Sequence, residues 1–253
     1  MTPGGGIRLA VSWLTVLPVR GPDDVDRAAA GRAIALAPLV GVLLGAIAAG
    51  LLWALTSAGA SAPLAGLVTV AALALLTRGM HLDGLSDSMD GLGSYGPPER
   101  ARQIMKSGGV GPFGVAALVF AIGVQAFAFA ALADAGRWFA VALAVAVGRV
   151  VVVLACRRGI PPAPGTAFGA LVADSQSPLT GAAWVIVALA CGVLAVPEHP
   201  WLGPVAIAVA VGVAAVVVVR HMLRRFGGLS GDVLGAAIEI SVTIAAAGLS
   251  LAG

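Results

Sequence analysis

Residues 77–114 read TRGMHLDGLSDSMDGLGSYGPPERARQIMKSGGVGPFG, a polar, glycine-rich stretch in an otherwise apolar chain. Asp83, Asp87 and Asp90 follow one another at spacings of four and three residues, so on a helix their carboxylates share one face. The opposite face carries the apolar side chains of Leu82, Leu85, Met89 and Leu92. The pattern predicts an amphipathic helix with an acidic stripe.

The acidic stripe indicates a metal site. Like charges four residues apart weaken a helix, and a divalent cation would offset the repulsion. Carboxylates without Cys or clustered His suit a hard ion, Mg²⁺ or alternatively Mn²⁺. Gly84 and Gly91 lie beside the stripe, and we expect them to let a bulky phosphate approach the backbone. The alternative is the solvated face of a surface helix.

The composition sets the fold class. The 253 residues are 59% hydrophobic and 11% charged, with a mean hydropathy of +1.01. A soluble domain has about 25% charged residues. A membrane barrel would show short alternating segments instead of long runs rich in Ala, Val and Leu. The chain is therefore expected to be all-α, a polytopic membrane helix bundle forming a single domain over residues 1–253.

The apolar runs predict about seven transmembrane helices, because each is near the roughly 20 residues that a spanning helix needs. They cover residues 34–55, 63–76, 113–133, 138–156, 181–196, 201–219 and 233–251. Residues 10–19 are too short to span and are expected to form an interfacial or re-entrant segment.

The basic residues predict the orientation. With seven spans, thirteen of them fall on one side: Arg8, Arg20, Arg27, Arg32, Arg78, Arg100, Arg102, Lys106, Arg157, Arg158, Arg220, Arg224 and Arg225. The positive-inside rule makes that side cytoplasmic. The amphipathic acidic helix is thus expected on the cytoplasmic side. Because the net charge of +3 is explained by topology, no nucleic-acid partner is expected.

Further ionisable residues lie in or beside the spans. Asp232 and Glu239 are seven residues apart, on one helical face. Arg149 lies within the fourth run, where it either binds a substrate phosphate or pairs with Glu239. Arg100 and Lys106 either bind phosphate or only set the topology. The glycines at 227, 228 and 231 lie just before the last run. They either contribute to a substrate site or only form a tight turn into the last helix.

Several of these stretches carry a resemblance to a known family. HLDGLSDSMDG at 81–91, ER at 99–100, IMK at 104–106, GPFG at 111–114 and GGLSGDVLGAAIE at 227–239 resemble the cobalamin synthases. These enzymes are also called adenosylcobinamide-GDP ribazoletransferases. LPV at 17–19 and PLVGVLLGA at 38–46 are similar to the family's N-terminal region. There are two departures. Ser107-Gly108-Gly109 stand where the family commonly has Asp-Ser-Arg, and Val242 stands where a second acid is often found.

The resemblance implies a transferase of the last steps of adenosylcobalamin biosynthesis in a bacterial or archaeal cytoplasmic membrane. It would join adenosylcobinamide-GDP to α-ribazole, or its 5′-phosphate, and release GMP. The implied partners are these small molecules and membrane lipid, and a homo-oligomer is left open.

This reaction suggests roles for the candidate residues. Candidate metal ligands are Asp83, Asp87, Asp90, Asp232 and Glu239. The first three, with His81, are also candidate catalytic groups, although on a continuous helix His81 points away from the stripe. Candidate substrate-binding residues are Arg100, Lys106, Arg149, Gly227 and Gly228.

Two other functions are weighed against this one. A CDP-alcohol phosphotransferase also uses clustered aspartates, but its sequence pattern requires D-G-x-x-A-R followed by G-x-x-x-D-x-x-x-D. Here Asp90-Gly91 is followed by Leu-Gly-Ser-Tyr. A transporter would show inverted repeats and charges at mid-membrane, whereas the charges here concentrate on one side.

Overall fold

The computed structural model describes residues 3–251 and is built from helices. These are α1 (Pro3–Leu14), α2 (Arg27–Ala35), α3 (Ala37–Ser57), α4 (Ala62–Leu76), α5 (Met80–Gly93), α6 (Pro98–Met105), α7 (Pro112–Asp134), α8 (Trp138–Ala155), α9 (Ala167–Val172), α10 (Pro178–Ala195), α11 (Leu202–Gly212), α12 (Val219–Phe226) and α13 (Gly231–Ser250). A π-helical segment, Val213–Val218, joins α11 to α12. Within residues 3–251 the only β-structure is two isolated bridges.

The predicted membrane bundle is confirmed. Within residues 3–251, six helices are long and apolar enough to cross a membrane: α3, α7, α8, α10, the continuous α11–α12 and α13. The number of spans becomes seven if the shorter α4 and the following α5 are counted together as one span. The two helices are bent by 92° where they join. We treat α4 as the apolar arm of this pair and α5 as a polar helix outside the spans.

Several predicted boundaries shift. The run at 34–55 is broken at Leu36, where α2 ends and α3 begins. The run at 201–219 continues to Phe226, because its basic last turn still belongs to the helix. Residues 10–19 form the end of α1 and an irregular stretch, and the helix begins earlier, at Pro3.

Short polar side chains mark several helix starts. Ser230 accepts a hydrogen bond from the backbone N–H of Val233 at the start of α13, and Ser177 does the same for Thr180 at the start of α10. Such caps satisfy donors that have no partner within the helix. A membrane helix that ends in a polar connection needs them as much as a soluble one does.

The core of the bundle is α8, which packs between α3 and α13. Most of its residues are buried. A side chain at Gly45 of α3 would overlap the backbone of Ala142 in α8, so the two helices meet at backbone contact distance. Small residues allow such close packing where water supplies no driving force.

Three polar connections meet at one end of the bundle. The loop after α8 pairs with the turn before α13, because Leu229 N–H donates to Pro161 O at 2.8 Å and Ala163 N–H to Leu229 O at 2.9 Å. From α6, Arg102 donates to Phe226 O at 3.0 Å. The basic connections that the sequence assigns to one side are therefore joined to each other.

Candidate active site at the crossing of α5 and α13

Two glycines let α5 and α13 cross at backbone contact. A Cβ atom at Gly84 would lie 2.8 Å from Asp232 O, and one at Gly235 would lie 3.2 Å from His81 Cα. The space beside Gly84 is thus filled by α13, and the space beside Gly91 by Met105 and Phe226. The expectation that these two α5 glycines admit a phosphate is wrong. Gly84 serves helix packing.

The crossing brings three carboxylates together. Asp83 and Asp87 project from α5, and Asp232 lies in the first turn of α13. Burial, followed by the charges of Asp83, Asp232 and Asp90, raises the pKa of Asp87 to about 6. We call Asp83, Asp87 and Asp232 the acidic cluster. Its mutual repulsion is what a bound cation would relieve.

Asp90 has a different environment from the rest of the acidic stripe. It is buried, and its two oxygens accept backbone N–H groups from Gly111 at 2.7 Å and Gly114 at 2.9 Å. Side chains at either glycine would collide with this carboxylate. The GPFG sequence therefore fits around Asp90, which fixes the start of α7. Its assignment as a metal ligand stays a prediction.

The five predicted metal ligands are not gathered around one point. Among residues 3–251, no three His, Cys, Asp or Glu side chains are arranged to hold a metal ion together. Glu239 lies seven residues beyond Asp232, about 10 Å along the helix. The donor set nevertheless suits Mg²⁺, which is usually held by one or two carboxylates plus substrate phosphates and water. Asp83 and Asp87, one helical turn apart on α5, are a donor set of this kind, and their role as metal ligands stays a prediction.

A cavity of about 230 Å³ with basic side chains opens beside Asp232. We call it the basic cavity. Its walls include Arg102 of α6, Lys106 directly after α6, residues 163–167, Ser230 and Asp232. Lys106 Nζ donates to Gly165 O at 3.4 Å, and its charge is close enough to interact with that of Asp232. The predicted phosphate ligand Arg100 is exposed on α6 and does not line this cavity.

The glycines at 227 and 228 shape the turn next to the basic cavity. Gly227 has a left-handed φ of +80° and ends α12. At Gly228 a side chain would overlap the backbone of Pro162. These contacts match the tight-turn alternative. The predicted substrate contacts of both glycines stay predictions.

Four polar side chains lie together inside the bundle: His81, Gln125, Arg149 and Glu239. Arg149 lies with a guanidinium nitrogen 3.4 Å from His81 Nδ1, and Gln125 donates to Glu239 Oε2 at 2.8 Å. Arg149 and Glu239 line one small cavity and interact electrostatically. Arg149 is 3% exposed, so its surroundings favour positioning His81 over binding phosphate directly.

The contact with Arg149 decides which nitrogen of His81 carries hydrogen. A guanidinium only donates, so Nδ1 is the acceptor and the neutral ring carries its hydrogen on Nε2. A second cation beside the buried Arg149 would be unfavourable, which keeps the ring neutral. His81 is therefore a hydrogen-bond donor through Nε2 in this arrangement, whereas a general base needs a free nitrogen.

A second cavity, of about 340 Å³ and mainly apolar, also includes Asp232 in its wall. We call it the apolar cleft. It is lined by Trp13, Ile34, Met80, His81, Asp83 and Phe168, among others. Trp13 and Phe168 meet edge to face, with ring centroids 5.3 Å apart.

Comparison with known proteins identifies the family. A family model described as cobalamin-5-phosphate synthase matches residues 6–250. The chain belongs to this family.

Three relatives are similar to the chain over at least 89% of their own length. The chain is 38% identical to a Corynebacterium efficiens adenosylcobinamide-GDP ribazoletransferase, covering 95% of this chain and 89% of the relative. For the proteins of the same name from a Nocardioides species and from Pseudomonas entomophila, the identities are 40% and 34%. These two matches cover 93% and 96% of this chain, and 93% and 97% of the relatives. No solved structure matches the chain.

Some residues of the site in this family member were missed by sequence reasoning. Arg102 is four residues before Lys106, so their shared helix face was a usable signal. Trp13 and Phe168 are far apart in the chain, and no local pattern connects them. Gln125, a lone polar residue in an apolar span, was a signal that was not used.

Proposed function

We propose that this chain is an adenosylcobinamide-GDP ribazoletransferase. It joins adenosylcobinamide-GDP to α-ribazole, or to α-ribazole 5′-phosphate, and releases GMP. The match to the cobalamin-5-phosphate synthase family over residues 6–250 carries this proposal. The relatives named for this reaction support it over the phospholipid alternative.

The acidic cluster supports a direct transfer between two bound substrates. A ribose hydroxyl of the nucleoside attacks the phosphorus that bears the corrinoid, a new phosphorus–oxygen bond forms, and the bond to GMP breaks. Asp232 lies between the basic cavity and the apolar cleft and accepts the hydroxyl proton. Lys106 and Arg102 face the negative charge of the diphosphate.

Magnesium dependence is part of the proposal. Asp83 and Asp87 would hold Mg²⁺, with substrate phosphates completing its shell. When bound, the ion polarises the phosphoryl group and neutralises the developing charge. His81 donates a hydrogen bond through Nε2, and Arg149 fixes its ring. Asp90 acts indirectly, by fixing where α7 begins against α5.

The site is proposed to face the cytoplasm. The basic connections α6, 157–177 and 220–230 meet at the same end of the bundle as the acidic cluster. The positive-inside rule supports placing that end on the cytoplasmic side of the bacterial cytoplasmic membrane.

The test is GMP release by the full chain in detergent or liposomes, from adenosylcobinamide-GDP and α-ribazole. We expect release with Mg²⁺ and none after EDTA. Asp83→Ala and Asp87→Ala should each abolish it, whereas Asp134→Ala, at the far end of α7, should not. Absence of GMP from folded wild-type protein with either Mg²⁺ or Mn²⁺ would refute the proposal, and near-normal rates in both site variants would refute the metal assignment.

A further inference from the structure

The two cavities that share Asp232 differ in chemistry. The basic cavity is bordered by Arg102 and Lys106, whereas the part of the chain that the structure describes places no Arg or Lys in the wall of the apolar cleft. The two substrates of the proposed function differ in the same way. One carries a diphosphate, and the other is in its simplest form an uncharged nucleoside with a flat aromatic base.

The apolar cleft has two features of a binding site for an aromatic molecule. Trp13 and Phe168, which border it, offer ring surface at little entropic cost. Its volume of about 340 Å³ lies at the lower end of small-ligand pockets, about 300–1,000 Å³, and is far too small for a corrinoid.

One of the residues that line the cleft, His81, has a buried polar atom with no hydrogen-bond partner among the described residues. His81 is 4% exposed, and among the described residues its Nε2 makes no hydrogen bond. Because Nδ1 faces Arg149, Nε2 carries the ring hydrogen and needs an acceptor. Leaving a buried donor unpaired is unfavourable, and an acceptor atom on a bound molecule would remove that cost.

We propose that the apolar cleft binds the acceptor nucleoside, with its aromatic base packed against the rings of Trp13 and Phe168 that border the cleft. His81 Nε2–H donates to a nucleoside oxygen or nitrogen, and the ribose points towards Asp83 and Asp232. The diphosphate of the donor then lies against Arg102 and Lys106 in the basic cavity. The identity of the nucleoside rests on the proposed function. The assignment adds that α1 and α9, which are far from the acidic stripe in sequence, determine which base is accepted.

The test separates binding of the two ligands. α-Ribazole and GMP are titrated by calorimetry into the full-length protein in detergent, for wild type, Trp13→Leu, Phe168→Leu and Lys106→Ala. Trp201→Leu is the matched control. Trp201 is 63% exposed, lies at the N-terminal end of α11 and lines neither of the two cavities. Losing a base–aromatic contact should weaken α-ribazole binding about tenfold in each aromatic variant. GMP binding should stay within twofold, which also shows that the variants are folded.

Lys106→Ala should show the reverse pattern, with weaker GMP binding and unchanged α-ribazole binding. The proposal is overturned if wild type binds no α-ribazole, if neither aromatic variant weakens that binding, or if both weaken GMP binding equally. Release of GMP by wild type is measured separately. Wild-type protein that releases GMP but shows one of these binding results refutes the cleft assignment alone, whereas absence of release refutes the proposed function.

Discussion

Gly84→Ala tests whether the helix crossing sets the geometry of the acidic cluster. The new Cβ would lie 2.8 Å from Asp232 O, and an ordinary contact of 3.4 Å requires the helices to separate by about 0.6 Å. A displacement of about 1 Å at reacting groups costs about 100-fold in rate, so we expect kcat to fall about 10- to 100-fold. Overpacking costs about 1–3 kcal/mol and the helix gains about 0.5–1 kcal/mol from alanine, which leaves a net loss of about 1–2 kcal/mol.

The assay is initial-rate GMP release at saturating Mg²⁺, together with thermal unfolding in the same detergent. Gly123→Ala is the control, because Gly123 is also in a helix but has no atom within 4 Å of the added Cβ. It should keep its rate and gain up to about 1 kcal/mol of stability. A Gly84→Ala protein with kcat within twofold of wild type would show that the separation of Asp232 from α5 does not control the chemistry.

Three further substitutions address the surrounding charges. Asp90→Asn loses charge-assisted bonds at the start of α7, so unfolding in detergent should become easier by about 1.5–3 kcal/mol, while Mg²⁺ affinity is kept. Because the pKa of Asp87 is about 6, Mg²⁺ must displace a proton below that pH, and its apparent Kd should rise about tenfold per pH unit; Asp87→Asn should flatten this dependence. Arg149→Lys keeps the charge near Glu239 but loses the guanidinium beside His81, so kcat should fall about tenfold with an unchanged KM for the corrinoid substrate.

Each of these has a contrary result. Lost Mg²⁺ affinity with unchanged stability in Asp90→Asn would make Asp90 a metal ligand. An Mg²⁺ Kd that does not change between pH 5 and pH 7 would contradict the role of Asp87. A raised KM with normal kcat in Arg149→Lys would indicate direct phosphate binding. The same carboxyl group sets a pH dependence of stability in metal-free protein. Because the pKa of Asp87 is higher in the folded protein than its unfolded value of 3.8, the free energy of unfolding falls as the pH rises from about 4 to about 6.

The helices could be predicted because hydrocarbon length and apolar runs leave few alternatives. Residues 63–76 and 138–156 were placed within one residue of α4 and α8. The break at Leu36 was not predicted, since residues on both sides of it are apolar. The acidic stripe was predicted as a helix, and α5 confirms it. Local periodicity is enough for these features.

The site could be predicted only where its residues share one helix. Asp83 and Asp87 follow from their spacing, whereas Asp90 belongs to the same periodic face but is bonded to the start of α7. The meeting of Asp232 with α5 depends on which glycines touch across the bundle, which is a tertiary fact. The same holds for Trp13 and Phe168. Periodicity says which face a residue is on, but not which helix covers that face.

The position of Asp232 between two cavities has a stereochemical consequence. If the donor occupies one cavity and the acceptor the other, as we propose, both substrates are present at once, and a direct attack of the hydroxyl on phosphorus displaces GMP from the opposite side. A single displacement of this kind inverts the configuration at phosphorus, whereas passage through a phosphorylated side chain would retain it. A chiral thiophosphate donor would therefore yield a product of inverted handedness.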